Sequence, residues 1–225
     1  MALLTDHVLF LDGEAIIIDK PAGLPVDAPR DGSMSLENHL ASLTFGFQRW
    51  PLPVHRLDRD TSGCLLLARN PKAHKRFAAA FEAGTVVKRY VAVIDGIPQD
   101  DSGTIALSLA KISSPAKGWR MIPAKAGKPA VTHWRKLAEK DGRALVAFTP
   151  ETGRTHQIRV HAEHGLGFGI LGDPVYGNGI GPMLLHSRFL SVPRGGKPAA
   201  EAAAPLPETF AAAGFGADNL DDASL

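Results

Sequence analysis

The chain has a single cysteine among its 225 residues. That excludes an intramolecular disulfide framework and a multi-cysteine zinc site, and a reducing cytoplasm is the simplest home. No uninterrupted apolar run exceeds five residues, as in Cys64–Ala68, so no membrane-spanning helix is expected. The N-terminus has no basic segment followed by an apolar one, so no secretory signal is expected. Nor is there a strong excess of one charge: 25 basic residues face 23 acidic ones, and three of the acids lie in the last fifteen positions, which hold no Lys or Arg. A modestly basic body suits a polyanionic partner but does not demand one.

Glycine (23) and proline (17) are plentiful, which implies short elements joined by many turns. Val8–Leu11 and Ala15–Ile18 flank Asp12-Gly13, a hairpin pattern. A short helix is expected near Ser35–Leu43 and a buried strand at Cys64–Ala68. Asn70 and Pro71 then read as the cap and first residue of a helix stopped by Gly84. Further strands are expected at 85–95, 130–137, 144–149 and 184–192. Residues 111–129, with Lys111, Lys117, Arg120, Lys125 and Lys128, read as a basic loop or hairpin. Thr155 is expected to cap a helix from His156 to His164, stopped by Gly165. Strands and hairpins with few helices predict an α+β fold with a mixed, mainly antiparallel central sheet and flanking helices. No linker stands out, so one catalytic domain over 1–210 and a mobile tail over 211–225 are expected.

Two segments concentrate reactive side chains. His55-Arg56-Leu57-Asp58-Arg59-Asp60-Thr61-Ser62-Gly63 packs carboxylates, guanidiniums and hydroxyls just ahead of a buried strand, where a loop is held well enough for catalysis. Glu151 to His161 is the second. Arg159 sits early in its helix, where the dipole disfavours it, which points to a carboxylate or phosphate partner. Three chemistries compete. A metal could bind His156, His161, His164 and Asp173, although a short helix aims those rings in different directions. A glycosidase pair could use Asp58 with Asp60 or Glu151. An RNA-modifying enzyme could use one aspartate.

His55-Arg56-Leu57-Asp58 followed by Thr61-Ser62-Gly63 resembles the RluA-type pseudouridine synthases. Three further segments match that family in order: Lys20-Pro21-Ala22-Gly23-Leu24-Pro25-Val26, Gly153 to His161, and Gly172-Asp173-Pro174-Val175-Tyr176-Gly177. The resemblance implies a pseudouridine synthase fold with a catalytic cleft, and isomerisation of uridine in tRNA or rRNA without cofactor or metal. It implies Asp58 as the catalytic aspartate, which would attack C1′ or take a proton at C2′. Arg159 would be the basic residue facing it, and Tyr90 the active-site tyrosine. Arg56 would fill the space left by a flipped base. His55, Lys20 and Arg154 are further candidates for RNA contact, with His55 and Thr61 also shaping the loop. The partner is then an RNA stem-loop, the enzyme a cytoplasmic monomer without an N-terminal RNA-binding domain. The non-enzymatic rival is an inactive RNA-binding module of the same fold.

Overall fold

Asp12 turns the chain at the first hairpin because its carboxylate accepts the Glu14 and Ala15 amides, at 2.8 and 2.9 Å. The strands on either side, β1 (Val8–Leu11) and β2 (Ala15–Lys20), pair antiparallel as the Asp-Gly pattern predicts. In the computed structural model, which describes residues 3–29, 31–114 and 118–220, the chain falls into two compact units. The first comprises residues 1–88 and 187–205, the second 89–186 and 206–225.

In the first unit β2 pairs antiparallel with β4 (Ser62–Ala68), and the short β3 (Leu52–Pro53) pairs with β4 as well. All seven residues of β4 are buried, as its unbroken apolar run implied. The helix after it, α1 (Pro71–Glu82), starts where expected: the Asn70 side chain accepts the Ala73 amide at 2.9 Å, and Pro71 occupies the first position. Phe77 is buried and packs with Cys64 and Leu66, with Ala80 and Phe81 at the margin. Burial pushes the Cys64 thiol up to about 12, so it is an inert core group. Residues Leu36–Leu43 form a 3-10 helix in the place expected for a short helix.

The second unit holds β5 (Val87–Ile94) from Arg89 onward, β6 (Ser102–Ser114), β7 (Gly118–Pro123), β8 (Lys128–Lys140) and β9 (Arg143–Pro150). Their order in the sheet is β5-β9-β8-β6-β7, and these four pairings are antiparallel. The basic 111–129 segment is thus the end of a β6–β7 hairpin running into β8. Its Lys117 lies outside the described residues, as do Asp221 and Asp222 of the expected tail. Ala92, Ile94, Val146, Phe148 and Leu185 form one core cluster, and Val91, Val93, Leu145, Phe210 and Phe215 another.

β10 (Leu185–Arg194) is followed by β11 (Lys197–Ala203), a pairing that the sequence reading did not separate. The fold class is the expected one: α+β, mainly antiparallel, with few helices.

The chain crosses between the two units inside β5, inside β10 and after Pro205. Two expectations are corrected. The segment after 210 is packed as far as it is described: α3 (Glu208–Ala212) seats Phe210, and Phe215 is only 1% exposed. Thr155 caps nothing; α2 (Gln157–His161) begins after His156, which takes the left-handed conformation at φ 54°. A π-helical turn over Ala162–Leu166 follows, and the stop is Gly167 at φ 83°, not Gly165.

Candidate active site

The loop carrying Asp58 is fastened from beneath. The Lys20 ammonium, at the end of β2 and 0% exposed, donates to the carbonyls of Pro21 (2.8 Å), Leu24 (2.9 Å) and Arg59 (3.0 Å). The Gly23 amide adds a bond to the same Arg59 carbonyl, and the Thr61 amide closes a turn onto the Asp58 carbonyl at 3.1 Å. One side chain thus ties the Lys-Pro-Ala-Gly-Leu segment to the aspartate loop. Burial pulls the Lys20 pKa down to about 7, against the opposing pull of Asp60, Asp58 and Asp19.

The exit from the loop is equally constrained. Gly63 has φ 104°, and a Cβ there would stand 2.3 Å from the Ser187 carbonyl oxygen. Only glycine lets β4 approach that backbone. Leu57, Thr61 and Ser62 are buried, leaving Asp58 half-buried and Arg56 exposed. Arg56 pairs with Asp27 at 2.7 Å, both well solvated. His55 turns inward, stacking on Phe81 at 4.6 Å, and its Nε2 accepts the Leu66 amide at 3.0 Å. Burial first and Lys88 second push its pKa down to about 3, so the ring is neutral.

In the second unit Tyr90 lies on β5 opposite Phe148, half-buried at the edge of the core. Arg159 is buried and makes a two-pronged ion pair with Asp173: Nε to Oδ2 at 2.7 Å and Nη2 to Oδ1 at 2.8 Å. The same Oδ1 accepts the Val175 and Tyr176 amides. Burial alone would raise the Asp173 pKa; Arg159 and the two amides outweigh it and hold the carboxyl below its ordinary value. Gly172, at φ 77°, permits the turn, since a Cβ would lie 2.0 Å from the Pro182 carbonyl. Gln157 braces the preceding loop, accepting from Thr152 Oγ1 and the Arg154 amide and donating to Val131 and Thr132.

A family described as RNA pseudouridylate synthase matches residues 14–164, two-thirds of the chain and parts of both units. The chain belongs to this family, whose members are isomerases. An uncharacterized RNA pseudouridine synthase of Zymomonas mobilis is 59% identical over 96% of this chain and all of its own length. A ribosomal large subunit pseudouridine synthase C of Rickettsia conorii is 38% identical over 77% of this chain, but over only 57% of its own length. Among solved structures, human RNA pseudouridylate synthase domain containing 4 aligns with TM-score 0.78 at 26% identity, covering 92% of this chain and 91% of that one.

Set in this pseudouridine synthase, the candidate residues separate. Asp58 and Arg56 share the unit-1 loop, and Tyr90, Arg159 and Arg154 belong to unit 2. Arg154 is exposed and donates to the Pro129 carbonyl at 3.1 Å. Lys20 is corrected from RNA contact to loop anchor, because its ammonium is enclosed and spent on three carbonyls. His55 is corrected likewise: its Nε2 is committed to the Leu66 amide and its ring to Phe81. The four groups weighed for a metal point apart. His156 meets Tyr176, His161 meets Thr132, His164 meets Glu163 and Asp173 meets Arg159.

The sequence reading missed Asp173 as the partner of Arg159. Its signal was present: an Asp-Pro after glycine marks a turn in which the carboxylate gathers following amides.

Proposed function

We propose that this chain converts uridine within RNA to pseudouridine, with Asp58 as the catalytic carboxylate. The observation carrying the proposal is the fastening of the Asp58 loop by Lys20, Gly23 and Gly63, which holds one half-buried carboxylate on rigid backbone. Preorganisation of that kind is what a reaction at a fixed sugar carbon requires. The N1–C1′ bond of uridine breaks, uracil turns, and C5 bonds to C1′; the C5 proton leaves and N1 gains one. Asp58 serves as an ionised carboxylate at the ribose. Tyr90 contributes a ring for stacking on uracil and a hydroxyl for the C5 proton. Arg159, paired with Asp173, supplies positive charge.

The target uridine leaves its stack before reaction. Arg56 is exposed and flat, suited to take the vacated place. Arg154, Lys111, Lys125 and Lys128 are exposed, suited to phosphate contacts that add affinity rather than sequence choice. Relatives named for the large ribosomal subunit favour rRNA over tRNA as the first substrate to test. The proposal has the enzyme work as a cytoplasmic monomer. Carbodiimide-dependent reverse-transcription stops on rRNA and tRNA incubated with the protein test it: a defined new stop is expected, and no stop on any RNA contradicts the reading.

A further inference from the structure

Within the second unit, a line of contacts runs from the basic hairpin to the buried ion pair. Lys111 of β6 lies over the Trp119 ring of β7, with Nζ 4.7 Å from its centroid. Trp119 packs against His156, centroids 4.8 Å apart. His156 Nδ1 is 3.0 Å from the Tyr176 hydroxyl, which also accepts the Met121 amide of β7 at 2.8 Å. The Tyr176 ring then faces the Arg159 guanidinium, whose Cζ is 5.1 Å from its centroid. The Tyr176 amide donates to Asp173, the carboxylate that grips Arg159.

Tyr176 is only 5% exposed. Phenylalanine would fill the same space and bury no polar group, so a hydroxyl there is of use only through its bonds. Those bonds reach the hairpin backbone and His156, whereas ring and amide reach Arg159 and Asp173. One residue therefore touches both ends of the line. We propose that Tyr176 is a positioning residue whose hydroxyl ties the β6–β7 hairpin to the Arg159–Asp173 pair, so that RNA seated on the hairpin sets the orientation of the Arg159 guanidinium. The inference rests on the reading above, in which Arg159 serves the reacting centre and the hairpin meets RNA.

Tyr176→Phe removes the link and keeps the ring. The Arg159 Nε–H is donated to Asp173 at 2.7 Å in a buried site, which makes it a suitable nuclear magnetic resonance probe. On adding a uridine-containing stem-loop of large-subunit rRNA, this signal is expected to shift in wild type and to stay put in Tyr176→Phe. In turnover on the same RNA, kcat is expected to fall about tenfold, a typical size for such coupling, with KM little changed. Trp119→Ala is expected to lose a similar factor, and the double variant no more than either single one. A purely structural role would lower thermal stability without separating kcat from KM. An Arg159 signal that shifts equally in both proteins, an unchanged kcat, or additive losses would overturn the proposal. Absence of pseudouridine in the wild-type reaction would instead strike the isomerase reading, and the resonance comparison would still decide the coupling.

Discussion

Lys20 shows what one side chain does when it is taken out of water. Its ammonium satisfies three carbonyls from two segments, so Lys20→Met strands those of Pro21 and Leu24, while that of Arg59 keeps the Gly23 amide. Each stranded acceptor costs about 1–3 kcal/mol, so a loss of roughly 2 kcal/mol or more is expected in urea unfolding, with isomerase activity falling as the Asp58 loop loosens. A charged lysine on a sequence reads as surface; only the fold shows that carbonyls converge on it. His55 was opaque for the same reason, since the amide it accepts lies eleven residues away. Its folded pKa of about 3 lies below the usual 6.5, so the unfolded chain takes up a proton that the native one refuses. Stability from this site is complete above pH 6.5 and is lost as pH falls from there towards 3. The urea midpoint of wild type should therefore decline between pH 6.5 and 4.5, and the decline should be shallower in His55→Gln. Equal slopes would refute a neutral, structural ring.

Among the elements, β4 positions the Asp58 loop. It is buried along its whole length, and its entry at Gly63 fits against the Ser187 backbone with no room for a methyl group. Gly63→Ala combines a disfavoured positive φ with a backbone clash and should cost about 3–5 kcal/mol in thermal or urea unfolding. A variant as stable as wild type would contradict the close packing. Elements with strong local signals were legible. Asp12-Gly13 announced the first hairpin, Asn70-Pro71 the start of α1, and the Cys64–Ala68 run the buried β4. β6 was passed over although Ile105, Leu107 and Leu109 alternate at strand period, because Ser, Gly and Thr dilute the pattern. β11 reads Lys-Pro-Ala-Ala-Glu-Ala-Ala, alanine-rich and without β-branched residues, and is a strand because β10 pairs with it. The π-helical turn after α2 is likewise a tertiary outcome that no cap residue signals.

For the molecule as a whole, the ordered motifs carried the family and the fold class, whereas its division did not show. The chain passes from one unit to the other inside β5, inside β10 and after Pro205, and only the last crossing falls between elements, in Ala204-Pro205-Leu206-Pro207. The Ala- and Gly-rich stretch after 210 reads as mobile because the contacts of Phe210 and Phe215, which pin its described part, are distant in sequence. Asp58 belongs to one unit, and Tyr90 and the Arg159–Asp173 pair belong to the other. The central claim is that the Asp58 carboxylate performs the step at the ribose. Isomerisation expels the C5 hydrogen, so RNA labelled with tritium at uridine C5 reports it directly. With excess enzyme, wild type should release tritium, and Asp58→Asn, folded to the same melting temperature, should release none. Tritium release by folded Asp58→Asn at a rate near wild type would contradict the account.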